Sequence, residues 1–466
     1  MEPEELASAL VRLTEWAEER APEPEPPVRR QLREHFGRDP AELPIVARAL
    51  EPWDRPNFQV AIDEWAVDRD VEVVGLPVMQ GYRAGLAELV RGAEWMSELE
   101  FGAVAHVTVP LGEHESVLCV ESGVWLVRDD HGPLVAMLKN EDHGMGERLA
   151  LEIMATDRDR GERMLSDLWV LMRKHNVYRG RVLELAGRYF HGDEAAPLTV
   201  RSLPSVSRER IVLPDGVLER IERHAFGIAE HAERLRASGR HLRRGLLLYG
   251  PPGTGKTLTA MYLASQMHGR TAVMLTGQSL GSVGASIDLA TALQPAMVIL
   301  EDVDLVAMDR SHEPTNAILF ELLNGMDGLD EDHDVLFVLT TNRPDLLEPA
   351  LAARPGRVDQ AVELPLPDAD GRRTLIELYG EGLKLPPTVP ESLIESLEGV
   401  SPAFIRELLR RAALPAADDS SEGALRVGTD ELERALREFR QGAGDLTNAL
   451  LGAPAQGSND AANDRS

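Results

Sequence analysis

The chain has 466 residues, 43% hydrophobic and 27% charged, with 39 glycines and 30 prolines, which is room for about three folding units and excludes collagen-like, disordered and membrane classes. Its 78 acidic against 49 basic residues give a formal charge of −29, spread as 38 acids to 23 bases before residue 206 and 40 to 26 after it. A phosphate-backbone partner needs clustered Lys and Arg, so the balance argues against nucleic acid and for a solvated, self-repelling surface.

In chain order, Glu4 to Glu19 has helix-like apolar spacing, after an acidic start lacking the basic and apolar regions of a secretory signal. Prolines 22, 24, 26 and 27 then forbid a continuing helix, so residues 21–27 read as an extended hinge. Short apolar runs follow at Ala103 to Val109, Glu115 to Val120, Gly123 to Val127, Leu134 to Leu138 and Leu151 to Met154, punctuated by Gly, Asp, Asn and Pro. They predict a small antiparallel sheet. Arg158 to His175 has helical spacing and Tyr178 to Leu185 reads as a strand, so residues 1–200 form an α+β domain whose role no motif reveals. All six tryptophans lie in this part, and the lone Cys119 sits inside an apolar run as a small core residue. One cysteine forms no intramolecular disulfide, and no apolar run approaches the ~18 residues of a membrane span. The expectation is a cytoplasmic protein without a membrane span.

The stretch 193–208 is punctuated by Pro and Ser and reads as a linker. Beyond it, after a helix over 216–238, strand-sized and helix-sized runs alternate: 245–249, 256–268, 271–275, 283–293, 297–300, 315–325, 335–340 and 344–353. That rhythm predicts a doubly wound parallel sheet over 206–367. Residues 368–440 read as a small helical lid, and 441–466 as a disordered tail.

Gly250-Pro251-Pro252-Gly253-Thr254-Gly255-Lys256-Thr257 fits G-x-x-x-x-G-K-[ST] between an apolar strand and a helix, where the phosphate-binding mechanism requires it. Glycines let backbone N–H groups face phosphates, Lys256 supplies a point charge, Thr257 offers a hydroxyl to Mg²⁺, and the helix points its positive end at the anion. The chain holds only four lysines, at 139, 174, 256 and 384, so one at this place is not incidental. Some forty residues on, Met297 to Leu300 ends in Glu301-Asp302-Val303-Asp304, putting carboxylates beside that loop: one to hold Mg²⁺, one to activate water. Asn342, at the end of another strand, can position that water. Arg354 and Arg357 stand three apart beyond it and suit the role of arginine fingers offered to a neighbouring subunit.

Gly250 to Thr257, Leu300 to Asp304, Thr340-Thr341-Asn342-Arg343-Pro344-Asp345 and Arg354-Pro355-Gly356-Arg357 together resemble the AAA branch of the AAA+ ATPases, over about residues 205 to 440. The resemblance implies a P-loop NTPase core with a helical lid, ATP and Mg²⁺ bound at subunit interfaces, a homo-oligomeric hexameric ring, and a protein client to be remodelled, translocated or disassembled. Two departures qualify it. The acids read Glu301 then Asp302, where most of the family reads Asp then Glu; this order resembles the mitochondrial inner-membrane AAA chaperone group. Glu301 then inherits the metal role and Asp302 the water-activating role with one methylene less reach, so slow hydrolysis, or a nucleotide-gated scaffold with little or none, is the alternative. At the first pore loop the place of a gripping aromatic falls to Ser282. No His-Glu-x-x-His motif occurs, which sets the membrane metalloprotease relatives aside. Arg406 lies where some AAA+ proteins carry a nucleotide-sensing arginine. The Asp-His pairs 130–131, 142–143 and 332–333 fit turn chemistry better than metal binding.

Overall fold

Strands buried on both faces read as unbroken apolar runs, and strands at the centre of two sheets have that property in a computed structural model, while several of their neighbours are largely exposed. The structure describes residues 25–76, 84–91, 99–142, 147–185, 198–304, 317–328, 332–347, 357–419 and 425–442. The predicted helix over 4–19, the 143 and 144 positions of the second Asp-His turn, and the tail beyond 442 lie outside them. The chain divides into two units between Val177 and Tyr178.

The first unit is built on an antiparallel sheet of β1 (Ile45–Leu50), β2 (Asp70–Gly75), β3 (Ala105–Pro110), β4 (Ser116–Asp129), β5 (Gly132–Asp142) and β6 (Glu147–Ala155), in order β1-β6-β5-β4-β2 with β3 also paired to β4. Its helices are α1 (Pro27–Phe36), α2 (Arg55–Ala66), α3 (Leu86–Arg91) and α4 (Arg158–Lys174). Alternation decides what each face meets. Trp125, Val127, Leu134, Ala136, Leu151 and Ile153 share a core with Phe58, Ile62, Leu168 and Met172. Val124, Leu126, Val135 and Met137 share the other with Leu32, Phe36, Leu86 and Leu89.

The two runs predicted over 115–127 are thus one strand, and β1, β2 and α1 to α3 are additions to the expected fold. Pro27, placed in the hinge by the sequence reading, is the first residue of α1, where its missing N–H costs nothing. Asp130-His131 forms the β4–β5 turn, the His131 N–H donating to Asp129 at 2.8 Å. Cys119 is buried in β4, and burial pushes its thiol up to about 11.

The second unit starts earlier than the expected domain boundary near 200. β7 (Val182–Leu185) pairs in parallel with a strand of the C-terminal sheet, so it belongs to that sheet and not to the first unit. The sheet comprises β7, β8 (Leu198–Arg201), β9 (Arg244–Tyr249), β10 (Thr271–Leu275), β11 (Ala296–Leu300), β12 (Val335–Thr341) and β13 (Gln360–Glu363), in order β13-β9-β12-β11-β10-β7-β8. All neighbours run parallel except β7 and β8. Helices α5 (Val217–Glu230), α6 (Ala232–Ala237), α7 (Lys256–Gln266), α8 (Val283–Ala292) and α9 (Ala317–Asp327) accompany it. The predicted helix over 216–238 is therefore two, and of the one over 344–353 only 344–347 is described, as helix. The doubly wound parallel core is as expected. A separate core of Leu375, Ile394, Phe404, Leu408, Leu436 and Phe439 closes a helical unit of α10 (Ala369–Tyr379), α11 (Glu391–Ser396), α12 (Pro402–Asp419) and α13 (Thr429–Gly442).

Burial raises the carboxyl of Asp54, which precedes α2 and accepts the Glu51 N–H at 3.0 Å, to about 6 from an ordinary 3.8. Between these two values the folded state binds the extra proton, so this group stabilises the fold as pH falls through the window and the contribution is lost as pH rises through about 6. Asp54→Asn should stabilise the first unit at pH 7, by up to about 2 kcal/mol, and flatten its stability between pH 4 and 6. Urea unfolding of the full chain read by tryptophan fluorescence checks this, since every tryptophan lies before residue 170.

Candidate functional site

At the C-terminal ends of parallel strands, loops from β9, β11 and β12 meet where the strand order reverses, since β9 lies beside β12 while its following helix leads on to β10. The loop after β9 is Gly250 to Gly255. Gly250 has φ of 147°, and a Cβ there would stand 2.3 Å from the Leu364 carbonyl oxygen. Gly253 has φ of 76°, and its Cβ would lie 2.8 Å from Ser401 Oγ and 2.9 Å from Ala403 Cβ, at the start of α12. Only glycine meets both conditions. The Ala403 N–H donates to the Gly253 carbonyl at 3.3 Å, so the helical unit touches the loop through Ser401 and Ala403, while Arg406 is exposed. Thr254 Oγ1 donates to the Pro251 carbonyl at 2.9 Å, and Pro252 completes the turn.

Gly255, left-handed, caps α7, whose first residue is Lys256. The Lys256 ammonium is buried and donates to the carbonyls of Gly250 and Pro251, both at 2.9 Å. Burial holds its pKa below the ordinary lysine value, while the charges of Asp302 and Asp304 pull it back up. Thr257 hydrogen-bonds the Glu301 carboxyl, which burial raises above the usual glutamate range, against that bond and with help from the charge of Asp302.

The residues after β11 are tied to both neighbouring strands. The Glu301 N–H donates to the Leu275 carbonyl at 3.1 Å and the Val303 N–H to the Thr340 carbonyl at 3.0 Å. The Asp302 N–H donates to Thr340 Oγ1 at 3.0 Å, and the Asn342 amide donates to Asp302 Oδ1 at 3.2 Å. Asp304, 4% exposed, accepts from Thr341 Oγ1 at 2.9 Å and from the Asn342 N–H at 3.2 Å. Sequence reasoning placed Glu301, Asp302 and Asn342 together but missed Thr340, Thr341 and Asp304 as the groups that hold them. The doubled Thr before Asn342 and the Asp-Val-Asp spacing were the available signals.

Arg357 sits elsewhere. Its carbonyl oxygen closes on Gly245, near the start of β9, roughly 16 Å along that strand from Gly250 at about 3.3 Å per residue. Its guanidinium is buried and paired with Asp327 of the same chain. The expectation that Arg357 is held out towards a neighbour meets this intrachain partner. Arg354 lies outside the described residues. Ser282 ends a short 3-10 turn over Gly277–Ser282.

The donor set suits a hard, oxygen-seeking cation: Thr257 hydroxyl and Glu301 carboxylate, with Glu301 Oε1 buried and without a hydrogen-bond partner. A glycine-cradled loop at a helix N-terminus, a buried lysine and such an oxygen define the class as a P-loop nucleotide-binding domain. Residues 246–366 match the family model described as "ATPase family associated with various cellular activities (AAA)".

The chain is 34% identical over 200 residues to the proteasome-activating nucleotidase of Pyrococcus horikoshii, covering 40% of this chain and 50% of the relative. It is 33% identical over 186 residues to 26S proteasome regulatory subunit S10B homolog B of Arabidopsis thaliana (37% and 46%), and 34% over 222 residues to ATP-dependent zinc metalloprotease FtsH 1 of Sphaerobacter thermophilus (44% and 33%). The chain thus spans about half the length, or less, of these curated relatives. The metalloprotease kin set aside by the missing zinc motif are among them after all, through a 222-residue stretch.

Lys256→Ala should reduce nucleotide affinity by about a hundredfold or more, since the loop would lose a full positive charge that hydrogen-bonds phosphate. Calorimetric titration with ATP reads this; unchanged affinity would remove the site assignment.

Proposed function

We propose that this protein is a Mg²⁺-dependent ATPase that couples ATP binding and hydrolysis to remodelling, translocating or disassembling a protein client. The observation that carries the reading is the convergence of Lys256, Thr257, Glu301, Asp302 and Asn342 at the C-terminal ends of the strands, with Thr257 bonded to Glu301, Asn342 bonded to Asp302, and Lys256 within the field of the Asp302 charge. The loop from Gly250 to Gly255 and Lys256 hold the β- and γ-phosphates. Thr257 and Glu301 hold Mg²⁺, which when bound neutralises phosphate charge. Asp302 accepts the proton of the attacking water, and Asn342, whose amide already donates to Asp302, aligns water and carboxylate.

A protein client is supported by the relatives' names, one group activating a proteasome and another being an ATP-dependent protease. The first unit, with no catalytic motif of its own, is the part we assign to client or partner recognition. The acidic balance supports a partner other than nucleic acid. Among the described residues no helix is long and apolar enough to cross a membrane, and a reducing cytoplasmic location rests on the single Cys119.

The order Glu301 then Asp302 supports kinship in mechanism with the mitochondrial inner-membrane AAA chaperone group, and rests on those two residues alone. It also favours a second reading, a nucleotide-gated oligomeric scaffold, because Asp302 reaches one methylene less than a glutamate. Phosphate release separates the two. Asp302→Asn should bind ATP as the wild type does while turnover falls by roughly a hundredfold. Fully active Asp302→Asn beside a dead Glu301→Gln would reverse the two roles.

A homo-oligomer, in the form of a hexameric ring, follows if the arginine supplied to each phosphate comes from a neighbour. We assign that role first to Arg354, with Arg357, paired to Asp327, holding the segment at its base or exchanging partners on assembly. Mixing Lys256→Ala with Arg354→Ala protein, each inactive alone, should restore part of the activity. Full activity of Arg354→Ala, independent of protein concentration, would end the shared-site reading.

A further inference from the structure

Asp302 has φ of 49° and is the one non-glycine residue with positive φ among the described residues. L-residues enter this region at a cost, asparagine and aspartate least so, and stay there only where surroundings over-determine the conformation. The surroundings can be named. β11 pairs with β12 as far as Leu300 opposite Leu339. Past that point the Glu301 N–H turns to Leu275 on one side and the Val303 N–H to Thr340 on the other. The N–H between them, that of Asp302, takes the Thr340 hydroxyl oxygen at 3.0 Å, and Thr340 is 1% exposed. Thr340 thus bonds two successive peptides through two different atoms, its carbonyl fixing Val303 and its hydroxyl fixing Asp302. With the backbone so held, Asp302 Oδ1 lies 3.2 Å from the amide of Asn342, two residues after Thr340 and just past the end of β12.

We propose that Thr340 is a positioning residue for hydrolysis: its buried hydroxyl holds Asp302 in the left-handed conformation that sets the carboxylate against Asn342. The inference rests on the ATPase reading above. A valine at 340 has the same shape but no acceptor. The Asp302 N–H would then lose its partner, the peptide would be free to relax towards negative φ, and the carboxylate would shift away from Asn342. Nucleotide binding, which depends on Lys256 and the glycine loop, would be spared.

The test is steady-state phosphate release and ATP titration on the full chain for wild type, Thr340→Val, Thr340→Ser and Asp302→Asn, and for Asp302→Asn combined with Thr340→Val. Thr340→Val should bind ATP within about twofold of wild type but lose roughly ten- to a hundredfold in kcat, the cost of a misplaced reacting group. Thr340→Ser, which keeps the oxygen, should retain most of the activity. In the Asp302→Asn background Thr340→Val should cost nothing further, because both changes act through one carboxylate. Wild-type kcat in Thr340→Val, equal damage from Thr340→Ser, or an undiminished loss in the Asp302→Asn background would each overturn the proposal while leaving the ATPase reading intact. No phosphate release by wild type would overturn the ATPase reading, and this inference with it.

Discussion

The parallel pairing of β9 with β12 is the constraint on which the site depends. Val338 opposite Leu246 and Thr341 opposite Tyr249 bring the end of β12 level with the start of the glycine loop. β11, paired with β12 on its other side, brings its own end to the same edge. Because β9 to β12 are buried along nearly their whole length, a slip of one residue in any of them would turn an apolar face out of register with its helices. Such a slip would also part Asp302 from Thr340 and Asn342. The hydrophobic register and the placement of the polar groups are therefore one specification.

The opposite edge of the same sheet carries a second polar cluster. Arg244, fully buried, donates to Asp334 Oδ1 at 3.0 Å, and Arg270 donates to Asp334 Oδ2 at 2.6 Å. These residues begin or immediately precede β9, β12 and β10. Buried ion pairs contribute little net stability, since desolvation offsets the attraction, but breaking one leaves a costly unpaired charge. The pairing of these three residues fits a device that fixes strand register from below. It also accounts for Asp334 at the end of the Asp332-His333-Asp334 string, whose carboxylate its two arginines hold down against the effect of burial.

What could be read in the sequence, and what could not, follows from how local each signal is. The phosphate loop and the acids after β11 are legible because the residues of each motif lie within eight positions, and each follows directly on a short, mostly apolar strand. The helix over 158–174 is legible for the same reason, with Asp157 capping it through the Arg160 N–H. β7 looks like the last element of the first unit because nothing local marks which sheet a four-residue strand will join. α1 was hidden by Pro27, which breaks a helix in its interior but starts one at its first position. The pairing of Arg357 with Asp327 spans thirty residues and leaves no periodic trace. The left-handed backbone of Asp302 likewise depends on Thr340, thirty-eight residues away.

That last dependence bears on the order of the two acids. Glu301 continues the line of β11, bonded to Leu275 as the strand itself would be, and its side chain reaches Thr257 at the head of α7. Asp302 stands where the chain leaves the strand at positive φ. Aspartate enters the left-handed region more readily than glutamate, whose longer side chain lacks the local hydrogen bonds that offset the strain. The short acid is thus matched to the turn and the long acid to the strand. Exchanging the two would put a poorly tolerated residue at the turn and a shorter arm opposite Thr257. The reach that Asp302 lacks is supplied from the other side, by Asn342, the residue after β12, whose amide already touches the carboxylate. In this chain the inverted order is consistent with the backbone that carries it, and that backbone is held by Thr340 of β12, two residues before Asn342.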